Sequence, residues 1–150
     1  MHRRGFLGTA APFYADLALV AEIAMGFALV IGAYLARTGR YRSHKWCQSA
    51  IVLLNFAVIV LVMVPSFRLA VAPAIPENLG HAYYWLSTLH GALGGTAEIG
   101  ALYVLLAAGT SVFPERLRLT RYKPWMRGVL LLWWVALLLG VGTYVRWYMP

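Results

Sequence analysis

Four stretches of the chain, 14–36, 46–65, 83–109 and 125–144, run for 20 residues or more with few polar positions. A bilayer core about 30 Å thick needs roughly 20 predominantly apolar residues in helix. None of the four alternates polar and apolar positions with a period of two, which excludes barrel strands and predicts four transmembrane helices. Aromatic residues flank most of the ends: Phe13 and Tyr14, Tyr34, Tyr41 and Trp46, Tyr83 and Trp85, Trp125, Trp147 and Tyr148. Such rings favour the headgroup zone and support these boundaries independently of hydropathy. Pro65 closes the second stretch, and the segment that follows carries Pro73, Pro76, Asn78 and Gly80, which predicts an ordered connection with a short helical turn. Pro114 and Pro124 bracket the connection before the last span. The fold class expected is an all-α integral membrane four-helix bundle, one domain over residues 1–150.

Composition narrows the picture further. With 61% apolar and 12% charged residues, the chain lacks the charged surface of a water-soluble enzyme. A single cysteine, Cys47, excludes an intramolecular disulfide and any multi-cysteine metal site. The net charge of +8 is carried by clusters beside apolar runs, an arrangement that suits anionic lipid and topology signals and argues against nucleic acid. Arg37, Arg40, Arg42 and Lys45 lie between the first two spans; Arg116, Arg118, Arg121, Lys123 and Arg127 lie between the last two. The other face holds Arg3, Arg4, Arg68 and Arg146. This bias predicts both basic loops in the cytoplasm and both termini on the external (periplasmic) side of the inner membrane. Arg3-Arg4-Gly5-Phe6-Leu7 resembles a twin-arginine export signal, which would reverse that orientation. The following apolar stretch carries Asp16 and Glu22, however, and that is poor for a signal peptide, so a basic arm without cleavage is expected.

Ionisable groups within a span cost about 2.5 to 3.5 kcal/mol each on insertion scales, so each needs a partner, a wet cavity or a ligand. Glu22 lies about 12 Å into the first span by helical rise, and His90 enters the third span to a matching depth from the same side. Glu22 shares a helix face with Ala15, Ala18, Gly26 and Ala33; His90 shares one with Ser87, Gly94, Ala97 and Ala101. Such small-residue faces permit close approach, and a Glu22–His90 contact is geometrically open. The pair could handle protons, bind a quinone, form half of a metal or haem site, or simply fix helix register by hydrogen bonding. Glu98, two turns beyond His90 and within about 80° of it, is expected to pair with Arg37 or Arg42 reaching in from the basic loop. His44, Gln48 and Asn55 form one polar stripe on the second helix, either an interhelical hydrogen-bonding edge or one wall of a polar cavity. His81 and Asp16 lie near the external surface and are placed to pair or to be solvated.

Several chemistries fall away. His44 and His90 differ in depth by on the order of 15 Å, and His81 and His90 point nearly opposite ways on one helix, so a bis-histidine haem is excluded. A single haem held by His90, or a quinone, stays open, and neither is required. Phosphate loops, zinc-protease motifs, CxxC pairs and serine elbows are absent. Gly91 and Gly95 form a GxxxG expected to mark helix packing. Trp133, Trp134 and the leucines of the last span are expected to face lipid or a partner subunit.

Three segments carry a family resemblance. Arg42-Ser43-His44-Lys45 opens a span; Tyr83-Tyr84-Trp85 precedes Leu89-His90-Gly91 and a small-residue helix; Lys123-Pro124-Trp125 opens a final helix ending in Gly140-Val141-Gly142-Thr143-Tyr144. Over roughly residues 40 to 148 the chain resembles the domain of unknown function 420 family, small membrane proteins that include an assembly factor for haem-copper cytochrome oxidase. A histidine typical of that family just before the Pro-Trp pair is missing here, where the stretch reads Leu119-Thr120-Arg121-Tyr122. The resemblance implies a non-catalytic accessory subunit or assembly factor of a respiratory electron-transfer complex, with lipids and other integral membrane subunits as partners. The alternatives are a redox subunit binding one haem or quinone through His90 and Glu22, and a small proton or metal conduit past Asn55, Glu98 and Glu22. The orientation is checked with reporter fusions: a reporter active only in the periplasm should work at residue 149 and stay silent at residue 112, and the reverse pattern would overturn the assignment.

Overall fold

The computed structural model of the protein describes residues 5–118 and 121–149. His2, the Arg3-Arg4 pair and Leu119-Thr120 lie outside the described residues. Five α-helices build four spans: α1 (Phe13–Arg37), α2 (Tyr41–Val58), α3 (Val64–Ala70), α4 (Ala82–Gly109) and α5 (Tyr122–Tyr148). A π-helical turn, Ile59–Met63, joins α2 to α3, so that the second span is one continuous helical run. Each of the four spans contains an 18-residue window with a mean hydropathy between 1.4 and 2.6. Only 17–22% of the residues in those windows are buried inside the bundle, which leaves the rest of each apolar surface to hydrocarbon. The protein is thus an all-α, four-helix, membrane-spanning bundle.

Pro65 was expected to end the second span, but the helix continues through it to Ala70. Proline lacks an N–H and its ring collides with the carbonyl four residues back, which would break an ordinary α-helix. Here the wider π turn directly before Pro65 absorbs that clash, and Pro65 sits in the first turn of α3, where a missing donor costs little. The first turnaround is tighter. Gly39, with φ +76°, follows Thr38, while Gly39 N–H and Arg40 N–H bond Ala36 O and Leu35 O. This Schellman ending satisfies the last carbonyls of α1 and starts α2 only three residues later, antiparallel to it.

The closest packing is within two pairs, α4 with α5 and α1 with α2; α1 also touches α5, whereas α2 and α4 meet sparsely. Between the pairs sits a plug of Met25, Leu29, Ile51, Ala97, Trp133 and Leu137. Trp133 was expected on the outside of the last span, yet it is 6% exposed and belongs to this plug. The reason lies on the neighbouring helices. Gly26 brings α1 so near α5 that a Cβ there would sit 2.8 Å from Leu137, and a Cβ at Gly100 of α4 would sit 3.0 Å from Val129. The last span therefore packs against both neighbours, and Leu131 and Leu138 are exposed on its outer face. Gly91 and Gly95, expected as the packing motif, have no atom within 4 Å of their Cβ positions; they border open space. The segment before α1 meets the end of α5 at one end of the bundle, where Ala10 N–H donates to Tyr148 O at 3.3 Å.

Candidate functional site

The central plug leaves a cavity on each side of itself. The larger, about 520 Å³, lies toward the end of the bundle where Ala10 meets Tyr148. Its walls come from all four spans: Ala15, Ala18 and Glu22 of α1, Asn55 and the π turn of the second span, Ser87 to Gly95 of α4, and Trp133 to Tyr148 of α5. It exists because α2 and α4 do not close on each other and because Gly91 and Gly95 offer no side chains to fill the gap. A volume of this order is that of a small-molecule or cofactor site, and its mostly apolar lining fits that class. The smaller cavity, about 250 Å³, lies toward the basic loops and is lined by His44, Gln48, Lys45 and Met126 among others. Trp133 borders both and divides them.

Glu22 and His90 both line the larger cavity, as their matching depth in the sequence suggested, but no hydrogen bond joins them among the described residues. His90 Nδ1 instead lies 2.9 Å from Ala136 O of α5. A carbonyl oxygen only accepts, so Nδ1 carries the proton and Nε2 is left with its lone pair in the neutral ring. The ring edge is seated where Gly140 lacks a side chain; a Cβ there would meet Cε1 at 2.8 Å. Gly140 therefore sets the pose of His90. Glu22 Oε1 is buried and has no hydrogen-bond partner. The same is true of Trp147 Nε1, which belongs to the same cavity wall near its outer end and whose indole stacks on Tyr83 at 4.8 Å.

Glu98 was expected to pair with Arg37 or Arg42. The structure corrects this: Glu98 is 3% exposed and Asn55 Nδ2 donates to its Oε2 at 2.8 Å, while Oε1 has no partner. The arginines belong to the exposed loop end, whereas Glu98 is turned inward to the α2–α4 seam, where Asn55 is the polar group at its level. Glu98 lies within electrostatic reach of Glu22. The stripe His44, Gln48 and Asn55 divides between two tasks. His44 Nδ1 lies 2.8 Å from Gly32 O, and Gln48 packs on the same glycine, where a Cβ would meet its Nε2. These two knit α1 to α2 beside the smaller cavity, and Asn55 alone reaches the larger one.

Asp16 does not pair with His81. Asp16 is fully buried and accepts from Leu7 N–H at 2.8 Å and from the Tyr144 hydroxyl at 2.5 Å; Tyr144 also shares a 2.7 Å hydrogen bond with Thr9. His81 is exposed and stands at the N-terminus of α4. Residues 5–12 are thus clasped to α1 and α5 through Asp16, Tyr144 and Tyr148, the last two of which line the larger cavity. Tyr144, Trp147 and Gly140 are the site residues that sequence reasoning passed over. Their signal was present in the closing Gly-rich, Tyr-terminated helix, but aromatic residues at a helix end read first as interface anchors. Among the described residues no three His, Cys, Asp or Glu side chains gather as metal ligands.

Removing Asn55 leaves the buried Glu98 carboxyl with no partner at either oxygen, at a cost of about 1–3 kcal/mol. Asn55→Leu should lower the unfolding midpoint in mild detergent, and adding Glu98→Leu should recover most of the loss. Additive losses in the double variant would show that the two groups do not act as a pair. No family model matches the chain, and no curated protein or solved structure matches it either, so the comparisons leave it a small four-helix membrane-spanning protein.

Proposed function

We propose that the protein is a small non-catalytic subunit or assembly factor of a membrane electron-transfer complex, and that it serves this complex by holding a quinone-class molecule in the larger cavity. The observation that carries the reading is an apolar cavity of about 520 Å³ whose lining residues Glu22 and Trp147 each keep a buried polar atom, Oε1 and Nε1, without a hydrogen-bond partner. A buried polar atom without a partner costs about 1–3 kcal/mol, and native proteins seldom retain such atoms unless a ligand or water meets them. A flat polar ring with an apolar tail satisfies both features of the cavity: the ring reaches Glu22 and His90, and the tail lies along the sparsely packed seam between the helix pairs. A phospholipid is the weaker fit, because its phosphate needs donors and, among the described residues, the one Lys or Arg side chain on the wall, Arg68, is exposed.

A bis-histidine haem does not fit the described residues. His90 offers Nε2, but His44 borders the other cavity and His81 is exposed at the start of α4, so among the described residues no second histidine faces His90 across the space. The electron-transfer context rests on the resemblance to the domain of unknown function 420 family, carried by the segments around His44, His90 and Gly140. In this reading the protein sits in the inner membrane with both termini and the cavity mouth on the outer side.

Purification in mild detergent, followed by mass spectrometry of extracted lipids and co-migrating proteins, tests the proposal. The expected result is an isoprenoid quinone retained near one per chain, together with subunits of an oxidase or related complex. A Cβ at Gly95 would have no neighbour within 4 Å, so Gly95→Leu should preserve the fold and reduce quinone retention at least tenfold. Retention of phospholipid alone, or equal quinone in the filled variant, would refute the site.

A further inference from the structure

The smaller cavity, divided from the larger one by Trp133, has a different chemistry at its two ends. On α5 its wall runs from Met126 to Trp133, about 10 Å of helical rise. The inner end is closed by the buried side chains of Leu29, Ile51 and Trp133. α4 leaves room beside them because it contributes Ala101, Ala108 and Gly109 to the wall. The polar members of the wall, His44, Lys45 and Gln48, all stand near the start of α2, at the end of the bundle that carries the basic loops. That end is open, since Lys45, Ala108 and Met126 line the cavity and are exposed. The Lys45 side chain reaches across the opening from α2 to the end of α4, where its Cε lies 4.0 Å from the Cβ position of Gly109. Among the described residues it has no carboxylate partner.

The charge around this opening has one sign. Arg42 and Lys45 stand in the first turns of α2, Lys123 and Arg127 in the first turns of α5, and Arg40 and Arg121 directly precede those helices. Glu115 is the one acidic residue in the stretches 37–45 and 110–127. Both helices begin without a side-chain cap, so their first N–H groups and the positive ends of their dipoles are turned to the same end of the bundle. From this arrangement we infer that the smaller cavity binds one anionic phospholipid from the leaflet at the basic-loop end, with its phosphate at Lys45 and an acyl chain in the chamber down to Trp133. Basic pockets between transmembrane helices suit such headgroups. A zwitterionic lipid brings a cation of its own into the basic cluster and gains less there. A free phosphate would leave the apolar chamber empty, and an acidic peptide would carry unsatisfied backbone groups into it. The site is separate from the larger cavity and does not depend on what that cavity holds.

The test is native mass spectrometry of the full chain, released from mild detergent after incubation with equal amounts of dioleoyl phosphatidylglycerol and dioleoyl phosphatidylcholine, which share their acyl chains and differ in charge. A single phosphatidylglycerol should be retained per chain, preferred over phosphatidylcholine by about fivefold or more. Two variants separate the two halves of the site. Lys45→Gln, at an exposed position, should remove most of that preference. Ala108→Leu leaves every charge in place and narrows the chamber, so it should lower phosphatidylglycerol retention by about fivefold. Gly95→Leu, in the larger cavity, should change neither quantity. Equal retention of the two lipids would overturn the site. A preference that survives in both Lys45→Gln and Ala108→Leu would assign the attraction to the basic loops at large and overturn it too. Loss of the lipid in Gly95→Leu would place it in the larger cavity, and displacement of the lipid by millimolar inorganic phosphate would show a free-anion site; either result contradicts a lipid held in the smaller cavity.

Discussion

Hydrocarbon supplies no hydrogen bonds, and this one constraint organises the molecule. Every polar group that enters the spans must be matched inside the protein, and nearly all of them are. Serine and threonine hydroxyls turn back on carbonyls one helical turn earlier, His44 and His90 each reach a backbone carbonyl on a neighbouring helix, and Asn55 takes one oxygen of Glu98. Because the rule is obeyed so widely, its exceptions carry information. Glu22 Oε1, Glu98 Oε1 and Trp147 Nε1 are the buried side-chain atoms left without partners among the described residues. Glu22 and Trp147 line the larger cavity, and Glu98 is held by Asn55 at its wall.

The cavity follows from how the helices pair. Glycines at 26, 32 and 140 bring helices together so closely that a methyl group at any of them would collide with a side chain, and one at Gly100 would press on Val129. Those contacts tighten α1 on α2 and α4 on α5, with Gly26 tying α1 to α5, and none of them draws α2 onto α4. The π turn before Pro65 keeps the second span helical through the outer half of the bundle, so the cavity has a wall there instead of a loop. Gly91 and Gly95, with nothing opposite them, leave the last part of the space open. At the outer end, Asp16 gathers Leu7 and Tyr144 and holds residues 5–12 to α1 and α5.

Much of the fold was legible in the chain because span length and apolar content follow directly from bilayer thickness. The shared depth of Glu22 and His90 was legible for the same reason: helical rise converts sequence position into depth. Helix rotation and neighbour choice were not legible. Periodicity says that His44, Gln48 and Asn55 share a face, but not that the first two meet Gly32 and the third meets Glu98. Charge complementarity favoured an arginine for Glu98, whereas the structure gives it an amide at its own depth. A GxxxG pattern carries no mark that separates a packed face from an empty one, so Gly91 and Gly95 read as contact residues although they border the cavity. Pro65 read as a stop because the π turn that accommodates it has no residue signature of its own.

The central claim is that the space between the helix pairs is a ligand site completed by something other than this chain. The most direct measurement is an electron cryomicroscopy map of the protein in native-lipid nanodiscs, at a resolution that separates a ring from an acyl chain. The account predicts flat density within hydrogen-bonding distance of Glu22 and His90, with a tail running between α2 and α4. A map in which α2 and α4 close together, with Glu22 bonded directly to His90 and no density between them, would contradict it.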